Sequence, residues 1–97
     1  MANKIYIDAV HYEKIYGREV ITQLKYTPIL TEKATRICSK RQMIHFINQQ
    51  PNCTKTKYYD AIYGWREGEY VRVVDNTYLR TDSNNIKEDN LGSLQRF

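Results

Sequence analysis

No stretch of this chain is both long and apolar. Asp8 interrupts the run Ile5-Tyr6-Ile7 before the apolar core of a signal peptide can form. Nothing elsewhere approaches the length needed to span a bilayer, so a cytoplasmic protein with no membrane partner is expected. Cysteine is nearly absent. Cys38 and Cys53 form no C-x-x-C pair and have no histidine at zinc-ligand spacing. They are read as reduced thiols, although the spacing leaves a 38–53 disulfide open. Asn52-Cys53-Thr54 matches a glycosylation acceptor only in form. Phosphate-cradling glycine patterns are missing too: there is no P-loop and no dinucleotide fingerprint. With 97 residues there is also no room for a second core of independent stability. A single domain over 1–97 is expected, without internal repeats or low-complexity linkers.

Acidic residues are missing from one region in particular. Between Lys33 and Lys57 the chain carries Lys33, Arg36, Lys40, Arg41, Lys55 and Lys57, and all eleven carboxylates lie outside. A segment of that kind attracts polyanions, or else forms a solvated basic face. What is abundant instead is tyrosine, with nine against two Phe and one Trp. Its apolar ring and polar tip suit half-buried sheet faces and binding surfaces alike.

Residues 4–12 alternate, with Ile5, Ile7 and Ala9 on one side and Tyr6, Asp8, Val10 and Tyr12 on the other. This period of two predicts a strand. A loop from Glu13 to Gly17 then leads to a second alternating run over 18–26, ended by Pro28, which has no N–H for a ladder. A short strand is expected over 34–38. Ser39-Lys40-Arg41-Gln42 reads as a capping box opening a helix over about 40–50, with Met43, Phe46 and Ile47 as its packed stripe and Pro51 as its stop. A Tyr-rich strand over 56–65 is expected to turn at Arg66-Glu67-Gly68 and return over 69–75. A brief strand at 78–81 follows, and 82–97 form a loop-like extension pinned by Ile86, Leu91, Leu94 and Phe97. The order β-β-(β)-α-β-β-β implies an α+β fold: a small antiparallel sheet of about five strands with one helix on a face.

Catalytic signatures are thin. His11 falls on a strand, and His45 flanks the helix stripe. A Cys53–His45 pair would need an orienting third group that no motif announces, and Asp8, Asp60 and Asp75 sit on separate strands. No enzyme is expected, and no cofactor or metal is called for. The leading expectation is a binding module for nucleic acid or a nucleotide. Arg36, Lys40, Arg41, Lys55 and Lys57 would meet phosphates, while Tyr58, Tyr59 or Trp65 stack on bases. The alternative is a protein-interaction module or inhibitor that meets an acidic protein surface or pairs with its own copy through a strand edge such as 57–65.

Tyr78-Leu79-Arg80-Thr81-Asp82, followed by Asp89-Asn90-Leu91-Gly92 and Leu94, resembles the end of the DUF3892 family of small uncharacterised bacterial proteins. Gln95 stands where such proteins often carry proline. The resemblance implies fold and size, and a setting in bacteria or their phages, but no activity. Within this segment Arg80 either pairs with Asp82 or Asp89 and locks the tail, or reads a ligand together with Asn90.

Overall fold

The structure, a computed structural model, describes residues 4–82 and 88–97. Strands β1 (Ile5–Ile15) and β2 (Arg18–Thr27) form a long hairpin, and β3 (Arg36–Ser39) runs directly into helix α1 (Lys40–Gln49). There follow β4 (Thr54–Asp60), β5 (Gly64–Tyr70), the short ribbon β6 (Arg72–Val74) and β7 (Tyr78–Arg80), and finally β8 (Gln95–Arg96). The main sheet has the order β3-β2-β1-β4-β5, with β8 also beside β1, and β6-β7 stand apart. The α+β class holds, with one helix packed on a face.

The sheet is mixed, however, not antiparallel. β1 pairs parallel with β4 through Ile5–Thr54 to Ile7–Thr56, and parallel with β8 through Ala9–Gln95 and Val10–Arg96. The physical reason is the helix. A helical crossover from β3 returns the chain in the direction it left, which a tight turn cannot do.

Helix α1 starts as its sequence demands. The Ser39 hydroxyl accepts the Gln42 N–H at 3.1 Å, and the Gln42 side chain accepts the Ser39 N–H at 2.9 Å. Met43 and Ile47 are its buried residues. They join Ile5, Ile7, Val10, Ile21, Leu24, Val71, Leu79 and Leu91 in one core on the helix side of the sheet.

Simple alternation does not predict that core, because Ile7 and Val10 lie an odd number of residues apart. Between Ile7 and Ala9, β1 advances two residues against one on β2, so Asp8 is an inserted residue; Thr22 is its counterpart on β2. Each bulge flips the phase of its strand. Ile7 thereby faces Tyr26, Val10 faces Leu24 and Tyr12 faces Ile21, all on the core side.

The first hairpin turns within the expected loop, at its end, and the second turns elsewhere than expected. β1 and β2 run on until only Tyr16 and Gly17 connect them, with φ of +50° and +78°. A two-residue turn of this hand matches the strands' twist. The second hairpin turns at 61–63, not at Arg66-Glu67-Gly68. Asp60 Oδ1 accepts the N–H groups of Ile62 and Tyr63 at 2.7 and 3.0 Å, so this aspartate supplies the turn chemistry. Gly68 serves close approach instead: a Cβ there would lie 2.2 Å from the Thr56 hydroxyl.

The tail is more than a loop. β8 extends the sheet, Leu91 enters the core and the Phe97 N–H donates to Val10 O at 3.0 Å. Ile86, one of the residues expected to pin the extension, falls outside the described residues. Among the described residues no helix is long and apolar enough to cross a membrane.

Candidate functional site

The basic residues singled out along the chain do not converge. Three of them are committed inside the protein. Lys57 lies on the sheet face opposite the helix and is fully buried. Its ammonium donates to the carbonyls of Ile29 at 3.2 Å, Leu30 at 3.0 Å and Glu32, and sits 4.1 Å from the Trp65 ring centroid. Three donors meet three acceptors, so no N–H is left for a phosphate. Burial pushes the Lys57 pKa down, and the carboxylates of Asp8 and Glu32 partly restore it. Asp8, lifted out of register by its bulge, accepts the Ala34 N–H at 2.8 Å and fastens the far end of the same loop.

Lys40 is held by Asp89 at 3.0 Å, and the Asp89 side chain is only 1% exposed. That carboxylate also accepts the N–H groups of Ile21 and Leu79, each at 2.9 Å. Lys55 pairs with Glu67 at 3.2 Å and lies over the Tyr70 ring. Glu67 also accepts the Tyr6 hydroxyl at 2.8 Å, and these two hydrogen bonds hold its pKa below the ordinary carboxylate value.

Arg80 makes the expected tail-locking pair with Asp82. Its guanidinium grips Asp82 at 2.9 and 2.8 Å and donates to Glu88 O at 2.9 Å. Asn90 is a turn residue whose side-chain oxygen accepts the Gly92 N–H at 3.0 Å, while its backbone bonds Leu79 and Thr81. The polar groups of Lys40, Lys57, Arg80 and Asn90 are thus engaged within the protein.

Arg36, Arg41, Tyr58, Tyr59 and Trp65 retain free surface, but on different parts of the molecule. Arg36 opens edge strand β3, whereas Tyr58, Tyr59 and Trp65 stand on β4 and β5 at the opposite edge. Tyr59 and Trp65 meet edge to face at 5.4 Å. Arg41 borders a hollow of about 500 Å³ with His45 and Asn76, beside the β6–β7 turn.

Around Arg36 the chain does build a concave site. A cleft of about 690 Å³ lies between α1 and the start of the sheet, lined by Lys4, Ile5, Tyr26, Pro28, Arg36, Met43 and Phe46. Among the described residues its charges are the two cations, Lys4 and Arg36. Tyr26 and Phe46 offer aromatic walls, and Met43 and Ile5 an apolar floor. Tyr26 and Arg36 are directly paired across β2 and β3, so the sheet sets aromatic and cation side by side. Lys4, Tyr26 and Phe46 carried no functional signal in the sequence. The one available cue was Tyr26 standing at a strand end just before Pro28.

Cys38 and Cys53 are free thiols, and burial pushes the Cys38 thiol up to about 11, away from nucleophilic use. Among the described residues no three His, Cys, Asp or Glu side chains gather to hold a metal ion.

The fold and its cleft define a small mixed-sheet domain with a concave, basic, aromatic-walled face. A family model described as a protein of unknown function, DUF3892, matches residues 7–95, and the chain belongs to that family. Neither the curated proteins nor the solved structures compared with this chain include a match.

Proposed function

We propose that the protein is a non-enzymatic, cytoplasmic binding module for a small anionic ligand with an aromatic part, of the nucleotide type. The observation that carries this reading is the 690 Å³ cleft lined, among the described residues, by Lys4 and Arg36 and no carboxylate. A cleft of this size suits one nucleotide-sized molecule. Its phosphates would meet Arg36 and Lys4, and its ring would lie against Tyr26 or Phe46. Arginine's planar fork favours bidentate phosphate contacts. The ligand class is the one expected from the basic, Tyr-rich composition, but the residues are largely different ones.

Calorimetric titration with nucleoside mono- and triphosphates, repeated at rising salt, tests this reading. Binding that weakens with salt, and falls at least about tenfold in Arg36→Glu, supports it, since a charge-assisted contact contributes about 1.5–3 kcal/mol. Absence of binding, or binding indifferent to Arg36, sinks it. A second reading, a protein-interaction module, is favoured by the exposed aromatic residues of the two hairpins.

A further inference from the structure

The two large hairpins of the main sheet end alike. The first apex reads Ile15-Tyr16-Gly17-Arg18-Glu19 and the second Ile62-Tyr63-Gly64-Trp65-Arg66-Glu67, the same order with Trp65 inserted. The correspondence is too short to stand out along the chain, but the fold gives it a shared place. β1 and β4 run parallel, so both apices leave the sheet at the same end. Beyond Ile7 the edge of β1 passes from β4 to β8, and a notch of about 310 Å³ lies beside the second hairpin, lined by residues of β4, β5 and 91–94.

Both apices are apolar and stand uncovered among the described residues. Tyr16 is 100% exposed, Ile62 82% and Tyr63 72%. Tyr16 also adopts φ of +50°, a left-handed conformation that costs a non-glycine residue about 1 kcal/mol. It recovers none of that by burial within this chain. Gly17 and Gly64 share φ of +78°, although the first turn holds two residues and the second three.

The charges around the tips are unequally free. Glu19 is held bidentate by Arg96, Asp60 is consumed by its own turn, and Glu67 is held by Tyr6 and Lys55. Arg66 lies over the Tyr63 ring at 5.3 Å with no carboxylate in ion-pair range among the described residues. Among the described residues Arg18 has one ion-pair partner, Glu88, at 3.6 Å with both side chains exposed. Lys14 also flanks the first apex, and Glu13 stands farther back on β1.

We propose that the two apices act together as a docking surface for an acidic segment of another protein. Tyr16, Tyr63 and Ile62 are the apolar anchors, and Arg18 and Arg66 supply the charge. Tyrosine and arginine dominate the energetics of protein interfaces. A second copy docked tip to tip would set Arg18 and Arg66 against themselves. A lipid surface would have to accommodate Asp60 immediately behind the second apex. This surface is independent of the cleft around Arg36.

The test selects binders from a phage-displayed peptide library enriched in Asp and Glu, then measures their affinities by fluorescence polarisation. Tyr63→Ser and Tyr16→Asn are compared with the unaltered protein. Asparagine suits a left-handed turn position, so loss of binding in Tyr16→Asn cannot be a folding defect. Each single change is expected to weaken the selected peptides at least about tenfold, because both tips hold one ligand. Arg36→Glu is expected to leave that binding unchanged. Failure to select any peptide, or peptides indifferent to either tip, would overturn the proposal. So would phosphatidylserine-vesicle binding or concentration-dependent dimerisation that disappears in the tip variants, each reassigning the surface.

Discussion

Asp89 and Lys57 are buried ionic groups on opposite faces of the sheet, and each ties an irregular segment to it. Asp89 works by charge: one carboxylate receives two backbone N–H groups and the Lys40 ammonium, joining β2, α1 and the strand before the tail. Lys57 works by dipoles: its partners are three carbonyls and a ring, all neutral. The difference shows two ways to hold a loop without secondary structure. An ion pair fails when either member is lost. A carbonyl cage fails only with its cation, but that cation carries the whole cost of leaving water.

The sharpest way to break this comparison is Asp89→Ala. It leaves Lys40 and two N–H groups without an acceptor and is expected to cost about 3–5 kcal/mol in urea denaturation. Asp89→Asn retains an acceptor and should cost less. Lys57→Met comes next. It keeps the apolar stem but empties the cage, with an expected loss of about 2–3 kcal/mol. Its distinguishing readout is faster amide exchange across 29–34 with the helix-side core still protected.

Acid titration follows. The folded-state pKa of Glu67 lies below the ordinary 4.5, so its contribution is complete above that value and is lost as pH falls through the lower, folded value. Glu67→Gln should therefore flatten the acid limb of stability against pH, read by thermal melts from neutral pH to about pH 3. The smallest effect is a gain. Tyr16→Asn is expected to raise stability by up to about 1 kcal/mol by relieving the left-handed strain, while touching neither buried ion.

How much of this was legible in the sequence divides along the same line. The capping box, the helix stripe and the existence of both hairpins follow from residues close together in the chain, and they could be read directly. The acid-free stretch from Lys33 to Lys57 was visible, but its meaning was not. The carboxylates that neutralise Lys40 and Lys55 arrive from Asp89 and Glu67, brought there by pairing that local patterns do not encode. The second turn was misplaced because Gly68 resembles a turn glycine, whereas its job is to let a strand pass close to Thr56. The bulges at Asp8 and Thr22 hid the core face, since strict alternation assigns Ile7 and Val10 to opposite sides. The candidate cleft drew Arg36 from the readable set, but Lys4, Tyr26 and Phe46 came together only through the fold.

The carbonyl cage around Lys57 also makes that side chain a clock. Its amine stays sealed while the 28–34 loop is closed, whereas lysines at the surface remain open to acylating reagents throughout. Acylation of Lys57 therefore proceeds only through the fraction of molecules whose loop has lifted. Its rate relative to an exposed lysine measures the free energy of that opening, separately from unfolding of the whole domain.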